Sequence, residues 1–261
     1  MIATWSKGPA DDSMPEEALV ETLQLVRRHP WWQARARLAV VLLGRHGIVP
    51  PTSVIDVGCG WGVNLDALAA AGYEVTGLDI SRRILERIDS PQRRLIEADL
   101  NAEWPASRDS YDALLALDVI EHIDDDSAAV RKMSQLLRPG GIAVLSVPAR
   151  PDLFSEFDRI QCHRRRYLPE TLGAVFKGSG LEMLRIFWWG AWMVPVLQRM
   201  RRGRPGASTG KPKTYADYLR IPPWPVPLAM KLLYRLEEAR AWKGKLRTGT
   251  SLVAVAKRVA G

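Results

Sequence analysis

Short, mainly apolar runs recur between residues 54 and 147: Val54–Val57, Glu74–Ile80, Arg93–Leu100, Tyr111–Asp118 and Ile142–Val147. The run from Tyr111 to Asp118 is apolar at odd and even positions alike, as a parallel strand covered on both faces requires. Between the runs lie segments with helical signals, Asn64–Ala71, Arg82–Ile88 and Asp125–Arg138. Asn64, Ser81 and Asp125 or Asp126 stand where a side-chain oxygen takes up the first free N–H groups of a helix, and Pro139-Gly-Gly141 predicts the stop of the third. Strands alternating with helices predict a doubly wound parallel α/β sheet. Leu181–Phe187 and Ser251–Ala256 read as two further strands, and Pro15–Arg28 and Pro30–Leu43 as two helices ahead of the sheet.

The first run ends in Asp56-Val-Gly-Cys-Gly-Trp-Gly62, three glycines at alternate positions leading into a helix. Glycine has no Cβ and tolerates positive φ, so it serves where backbone must approach a ligand closely. A strand, a glycine turn and a helix N-terminus form a site for a nucleotide-type cofactor. The spacing is G-x-G-x-G and not the G-x-G-x-x-G of dinucleotide sites, and Asp56 before the first glycine suits a cationic or amine-bearing ligand. Asp79 ends the second run about 20 positions on, where an acidic side chain grips a ribose diol in this kind of fold.

V-I-D-V-G-C-G-W-G resembles motif I of the class I S-adenosylmethionine-dependent methyltransferases, and D-V-I-E-H-I (118–123) and L-L-R-P-G-G (136–141) extend the similarity over Ser53 to about Pro148. The resemblance implies S-adenosylmethionine as cofactor, held by Asp56, Gly58, Cys59, Gly60, Trp61, Asp79, Ile80, Asp99, Leu100 and Leu117, with Asp99 hydrogen-bonding the adenine amino group. It implies a Rossmann-like sheet of seven strands, the last antiparallel, with N-terminal helices over the cofactor. On that basis residues 1–48 form a helical cap and 49–187 the cofactor-binding core. Residues 188–249 form a helical insertion between strands six and seven, and 250–261 hold the final strand.

Acceptor chemistry belongs after the fifth strand. The H-x-R-R-Y run, His163 to Tyr167, resembles a bacterial methyltransferase subgroup associated with cell-envelope glycan or lipid-linked precursors. His163 is the candidate general base for a hydroxyl, being the side chain that titrates nearest neutral pH. His122, Arg165, Arg166 and Tyr167 are the candidate acceptor contacts, the arginines able to grip a phosphate or carboxylate. Loop-ordering and solvated-surface roles stay open for them. In ubiquinone-pathway O-methyltransferases, and in enzymes that methylate the terminal 2′-hydroxyl of small RNAs, E-x-x-E-H after strand four binds a divalent metal. Asp118-x-x-Glu121-His122 departs from it at the first position. The same E-H pair merely lines the pocket in other methyltransferases, and no metal is assigned.

Composition narrows the setting. A hydrophobic share of 47% supports a real core, and two cysteines imply no disulfide framework. No signal-peptide pattern and no apolar run of about 20 residues is visible, so a cytoplasmic protein is expected, soluble or peripheral at the inner face of the membrane. The net charge of +8 is uneven: residues 199–261 hold 15 Lys/Arg and 3 Asp/Glu, whereas residues 1–198 hold 22 and 26. The same quarter follows Ile186–Leu197, uncharged with three tryptophans; then come Arg199, Arg201, Arg202 and Arg204, a Gly/Pro/Ser-rich segment from Gly203 to Thr214 read as a mobile loop, Pro-interrupted Ile221–Pro227, and a basic amphipathic helix, Leu228–Lys245. Trp beside Arg and Lys suits either a packed lid over the acceptor or contact with an anionic membrane surface.

These features point to methyl transfer, to an oxygen of a small-molecule or lipid- or glycan-linked acceptor. Two other classes stay open: an RNA methyltransferase, which would bind RNA with strong inverse salt dependence, and a non-catalytic cofactor- or lipid-binding module. Nucleic acid is not the expected partner; acceptor identity and oligomeric state are left open.

Overall fold

The computed structural model describes residues 1–6, 14–105, 110–202, 214–221 and 223–259, with the side chains of 200–202 excepted. Its elements are β1 (Ile2–Thr4), α1 (Glu16–Arg28), α2 (Pro30–Arg45), β2 (Ser53–Val57), α3 (Val63–Ala70), β3 (Glu74–Asp79), α4 (Arg82–Ile88), β4 (Arg93–Glu97), β5 (Tyr111–Leu117), α5 (Asp126–Ser134) and β6 (Leu137–Pro148), followed by α6 (Glu156–Ile160), α7 (Pro169–Val175), β7 (Leu181–Trp189), α8 (Met193–Arg202), α9 (Tyr215–Tyr218), α10 (Val226–Trp242) and β8 (Ser251–Arg258). The expected segment Gly203–Thr214 lies outside the described residues up to residue 213, as do Arg204 and the side chains of Arg201 and Arg202.

The strands form one sheet in the order β1-β4-β3-β2-β5-β6-β8-β7. Strands β1 to β6 pair in parallel, and β8 runs antiparallel between β6 and β7. The expected antiparallel last strand is therefore present. The sheet has eight strands and not seven, because Ile2–Thr4 adds an edge strand along Leu95–Glu97; three residues show too little periodicity to be read as a strand. Helix α5 also ends at Ser134, short of the expected Arg138. Pro139-Gly-Gly141 lies inside β6 as an irregularity: Tyr111 faces Leu137, but Ala113 already faces Ile142. A Cβ on Gly141 would lie 2.9 Å from the Arg138 carbonyl oxygen, so the kink needs glycine there.

Alternation along each strand divides the core. Ile55, Val57, Leu114 and Ala116 pack with Val130 and Met133 of α5 and Leu172 and Val175 of α7. On the other face Val54, Ala113 and Leu115 pack with Leu38, Leu42 and Leu43 of α2, Leu65 and Leu68 of α3, and Tyr234 and Ala241 of α10. Each such fully buried aliphatic side chain stabilises the fold by about 1.5–3 kcal/mol. Strand order reverses between β2 and β5, which opens a crevice at their C-terminal ends, the place where open α/β sheets bind ligands.

Candidate functional site

The three glycines of the turn do different work. A Cβ on Gly58 would lie 2.6 Å from Val119 Cγ2, so Gly58 is a packing glycine. Gly60, at φ +43°, has nothing closer than the Gly58 carbonyl oxygen at 4.0 Å around its missing Cβ; it alone of the three faces open space. Gly62, at φ +73°, is the N-cap of α3. The turn is pinned to β3 by N–H donation from Gly58 and Cys59 to the Leu78 carbonyl, at 2.7 and 3.0 Å. Asp79 accepts the Gly60 N–H on Oδ2 (2.7 Å) and the Ser81 N–H on Oδ1 (2.9 Å). Burial raises its pKa, and these hydrogen bonds oppose the rise.

Above the turn lies a cavity of about 1500 Å³. Gly58, Cys59, Gly60, Trp61, Asp79, Ile80, Asp99, Leu100 and Leu117 all line it. Asp99 sits just past β4 and accepts the Asn101 N–H on Oδ1 at 2.8 Å. Asp56 does not line it. The two-residue period of β2 turns its side chain away from the crevice to the face under α2 and α3, where it is fully buried and Asn64 Nδ2 donates to both carboxylate oxygens at 3.2 and 3.1 Å. Burial pushes its pKa up to about 7, against the Asn64 bond and the Arg35 charge. Asp56 thus anchors the start of α3 behind the turn.

The N-terminal helices roof the cavity. Trp61 Nε1 donates to the Leu19 carbonyl (2.9 Å) and Thr22 Oγ1 (3.2 Å), and Ser81 Oγ donates to Glu16 Oε1 (2.5 Å), so α1 is tied to the turn and to the start of α4. Tyr215 of α9 stacks between Trp61 and Phe157 with ring centroids at 6.0 and 5.8 Å. Its buried hydroxyl has no hydrogen-bond partner among the described residues, and the residue lines the cavity. Arg35 of α2 lies over the Trp31 ring at 4.7 Å and forms a part-buried ion pair with Asp118.

The acceptor candidates separate into two groups. His163 lines the cavity with Nδ1 3.2 Å from Asp158 Oδ1 and Nε2 3.8 Å from Glu121 Oε1, and its ring meets His122 edge-on at 4.8 Å. Although burial pushes the Asp158 carboxyl upward, hydrogen bonds from His163 and Arg166 hold it well below the usual carboxylate range. His122 also lines the cavity; burial, then the His163 charge, pull its pKa down to about 4, so the ring is neutral at pH 7. Arg166 lines the cavity too, but its guanidinium is spent on a two-pronged pair with Asp158 (2.7 and 3.1 Å) and on the Ala149 carbonyl (3.0 Å). Arg165 and Tyr167 do not reach the cavity. Arg165 bonds Asp126 and the Asp124 carbonyl, and buried Tyr167 donates to Asp126 at 2.8 Å. Arg164 pairs with Asp124 at 2.6 Å. The arginine run therefore braces the loop and does not form an anion grip.

Asp118, Glu121 and His122, to which the sequence assigned no metal, do not come together as a group. Asp118, at φ +59°, turns to Arg35 and to Ser146 Oγ, which donates to it at 3.0 Å. His163 stands in its stead: Glu121, His122 and His163 each offer a ligand atom, all within 4.8 Å of one another. Among the described residues neither buried Glu121 oxygen has a hydrogen-bond partner, and burial, with Asp118 nearby, raises its pKa well above the carboxylate range. Arg35, Asp158 and Tyr215 escaped the sequence reading. Arg35 is one of three arginines on α2, with Arg37 and Arg45, and nothing in the sequence sets it apart; Asp158 reads as an ordinary helix-start acid, and Tyr215 follows a segment without periodicity.

The cradle fits S-adenosylmethionine, with open space at Gly60, acidic side chains at the ends of β3 and β4 and an apolar floor at Leu100 and Leu117. Comparisons agree. A family model described as a methyltransferase domain matches residues 27–186, more than half of the chain. Ubiquinone biosynthesis O-methyltransferases are similar: that of Chromobacterium violaceum is 29% identical over 131 residues, covering 43% of this chain and 55% of the relative, and that of Ralstonia nicotianae 35% over 129 residues, covering 47% and 49%. The chain thus spans about half the length of these relatives. Among solved structures, a [4+2]-cyclase, SpnF, superposes with TM-score 0.61 at 18% identity, covering 99% of this chain and 100% of its own. Phosphoethanolamine N-methyltransferase 2 of Haemonchus contortus, in complex with S-adenosyl-L-methionine, superposes with TM-score 0.53 at 15% identity, covering 85% and 52%. Those two likenesses concern the fold. Motif, cradle and family model together establish that this chain belongs to the class I S-adenosylmethionine-dependent methyltransferases.

Proposed function

We propose that the chain methylates an oxygen of a small-molecule acceptor that carries an apolar part, with His163 as general base. The observation that carries this reading is the Asp158–His163 pair at the wall of the cofactor cavity. Asp158 holds Nδ1, so the ring is fixed in orientation and Nε2, 3.8 Å from Glu121 Oε1, is left as the base position. When bound, S-adenosylmethionine would supply an activated methyl carbon that an acceptor oxygen attacks in line, the S–CH3 bond breaking and S-adenosylhomocysteine leaving. The chain must then hold the two reactants in register and take up one proton from the hydroxyl, which passes to His163 Nε2. The cavity wall of Met193, Val196, Leu197 and Met230 suits an apolar acceptor, and α1, α9 and the Trp61–Tyr215–Phe157 stack exclude water. The similarity to ubiquinone biosynthesis O-methyltransferases supports an oxygen acceptor.

A test incubates the chain with methyl-labelled S-adenosylmethionine and lipid or small-molecule extracts, and follows transfer by mass spectrometry. His163→Ala should lower turnover by about 10²–10⁴-fold, with S-adenosylhomocysteine affinity unchanged by calorimetry. Full turnover in that variant would remove the histidine from the chemistry.

The unpartnered Glu121 carboxylate beside two imidazoles favours a second reading of the same site, in which Glu121, His122 and His163 hold a divalent ion. One carboxylate and two histidines suit a first-row transition metal, and Asp158 would then orient a metal-bound imidazole. Such an ion would supply Lewis-acid polarisation of the acceptor oxygen. Metal content of the purified chain, and titration of Glu121→Gln with zinc and manganese by calorimetry, separate the readings: the metal reading expects binding that the variant loses.

A further inference from the structure

Helix α10 is built inside out relative to an ordinary surface helix. Its inward face carries two acids: Glu237 accepts N–H groups from Gly190 and Ala191, and Glu238 pairs with Arg37. Its outward face is apolar. Leu228, Leu232 and Leu236, four residues apart on one stripe, are 62%, 57% and 59% exposed, and Trp224 just before the helix is 82% exposed. The charges beside this stripe are of one sign. Lys231, Arg235 and Arg240 are exposed on the helix, and Lys243, Lys245 and Arg247 are exposed beyond it.

We infer that the outward face of α10 docks flat on an anionic lipid bilayer. Leucines on one stripe with tryptophan at one end and cations along the borders match the interface between acyl chains and negative headgroups, where each class of side chain finds its own depth. A second copy of the chain would bring like charges together along the same stripe, which opposes self-docking. The helix that carries this face also borders the acceptor cavity: Met230, on its inward side, lines the cavity, and Val196 of α8 lines it while remaining 47% exposed. A docked chain would thus open its cavity toward the bilayer, and an apolar acceptor would enter without crossing water. That last step rests on the proposed function; the docking itself does not.

The test is co-sedimentation of the full chain with phosphatidylcholine vesicles, with and without phosphatidylglycerol. Binding is expected only with the anionic lipid and should weaken as salt rises. Leu232→Ser with Leu236→Ser should reduce binding roughly tenfold or more, since insertion of the leucines is lost. Lys231→Ser with Arg235→Ser should reduce it for anionic vesicles. Thermal midpoints and S-adenosylhomocysteine affinity of these surface variants should match the parent, which separates lost docking from lost fold and from failure of the cofactor site. Absence of binding to anionic vesicles, or binding indifferent to both double substitutions, would overturn the inference. A concentration-dependent dimer abolished by the leucine substitutions would assign the stripe to self-association instead and overturn it equally.

Discussion

Gly58 and Gly60 lie two positions apart and predict opposite outcomes. Gly58→Ala drives a Cβ into Val119 at 2.6 Å, so the loss should appear as a lower melting temperature, on the order of 1–3 kcal/mol for an overpacked site. Gly60→Val places its branches where a ligand would lie and strains a left-handed φ, so calorimetry should show a loss of S-adenosylhomocysteine affinity well beyond any loss of stability. Equal affinity in a folded Gly60→Val variant would place the cofactor elsewhere. His29 supplies a pH signature. Its Nδ1 accepts the Trp31 N–H at the start of α2, and burial pulls its pKa from 6.5 down to about 4. Between those values the unfolded chain holds a proton that the folded chain refuses, so this contribution is complete above pH 6.5 and is lost as pH falls toward 4. His29→Asn retains a capping oxygen and does not titrate. Its melting temperature relative to the parent should therefore rise as pH falls from 7 to 4.5, and a constant gap would refute the assignment.

Elements hold one another by a few polar contacts that the chain does not advertise. The carboxylate of Glu237 in α10 accepts N–H groups from Gly190 and Ala191 just ahead of α8, donors that a helix start leaves without partners. Burial raises its pKa, and those N–H bonds oppose the rise. Glu237→Ala should cost about 1–3 kcal/mol of stability, read by urea unfolding, because buried donors are stranded; Glu237→Gln, which keeps an acceptor oxygen, should cost less. At this scale the sequence was legible wherever local pattern sufficed. Helix α4 and the starts of β3, β4, β5, β7 and β8 fall where expected, because central strands and capped helices announce themselves. Tertiary demands hid the rest. Asp56 reads as a ligand contact until strand alternation places it under α3, and Arg165 and Tyr167 read as a binding motif until Asp126 takes both. The Pro-Gly-Gly stop signal is real, but it serves a strand irregularity in place of a helix end.

Across the whole molecule, the glycine turn is tied to both α1 and α9 through Trp61. Its indole N–H holds α1, and its ring stacks on Tyr215 of α9, so one residue of the glycine turn touches both the N-terminal cap and the insertion. Binding of S-adenosylhomocysteine should therefore slow amide exchange in Glu16–Arg28 and Tyr215–Tyr218 together, whereas Trp61→Leu should uncouple the two segments. Protection confined to the turn would argue against a coupled lid. The sheet order has a consequence for how the chain is made. Strand β7 bonds only to β8, and β8 lies between β7 and β6. As synthesis proceeds from the N-terminus, Leu181–Trp189 and the helices after it emerge before the strand that will bind them into the sheet. Until Ser251–Arg258 emerges, β6 presents an open edge, and Trp188 and Trp189, on opposite faces of β7, have no seat. The nascent sheet therefore closes last at its interior, and the order of translation, not stability alone, sets when this sheet is complete.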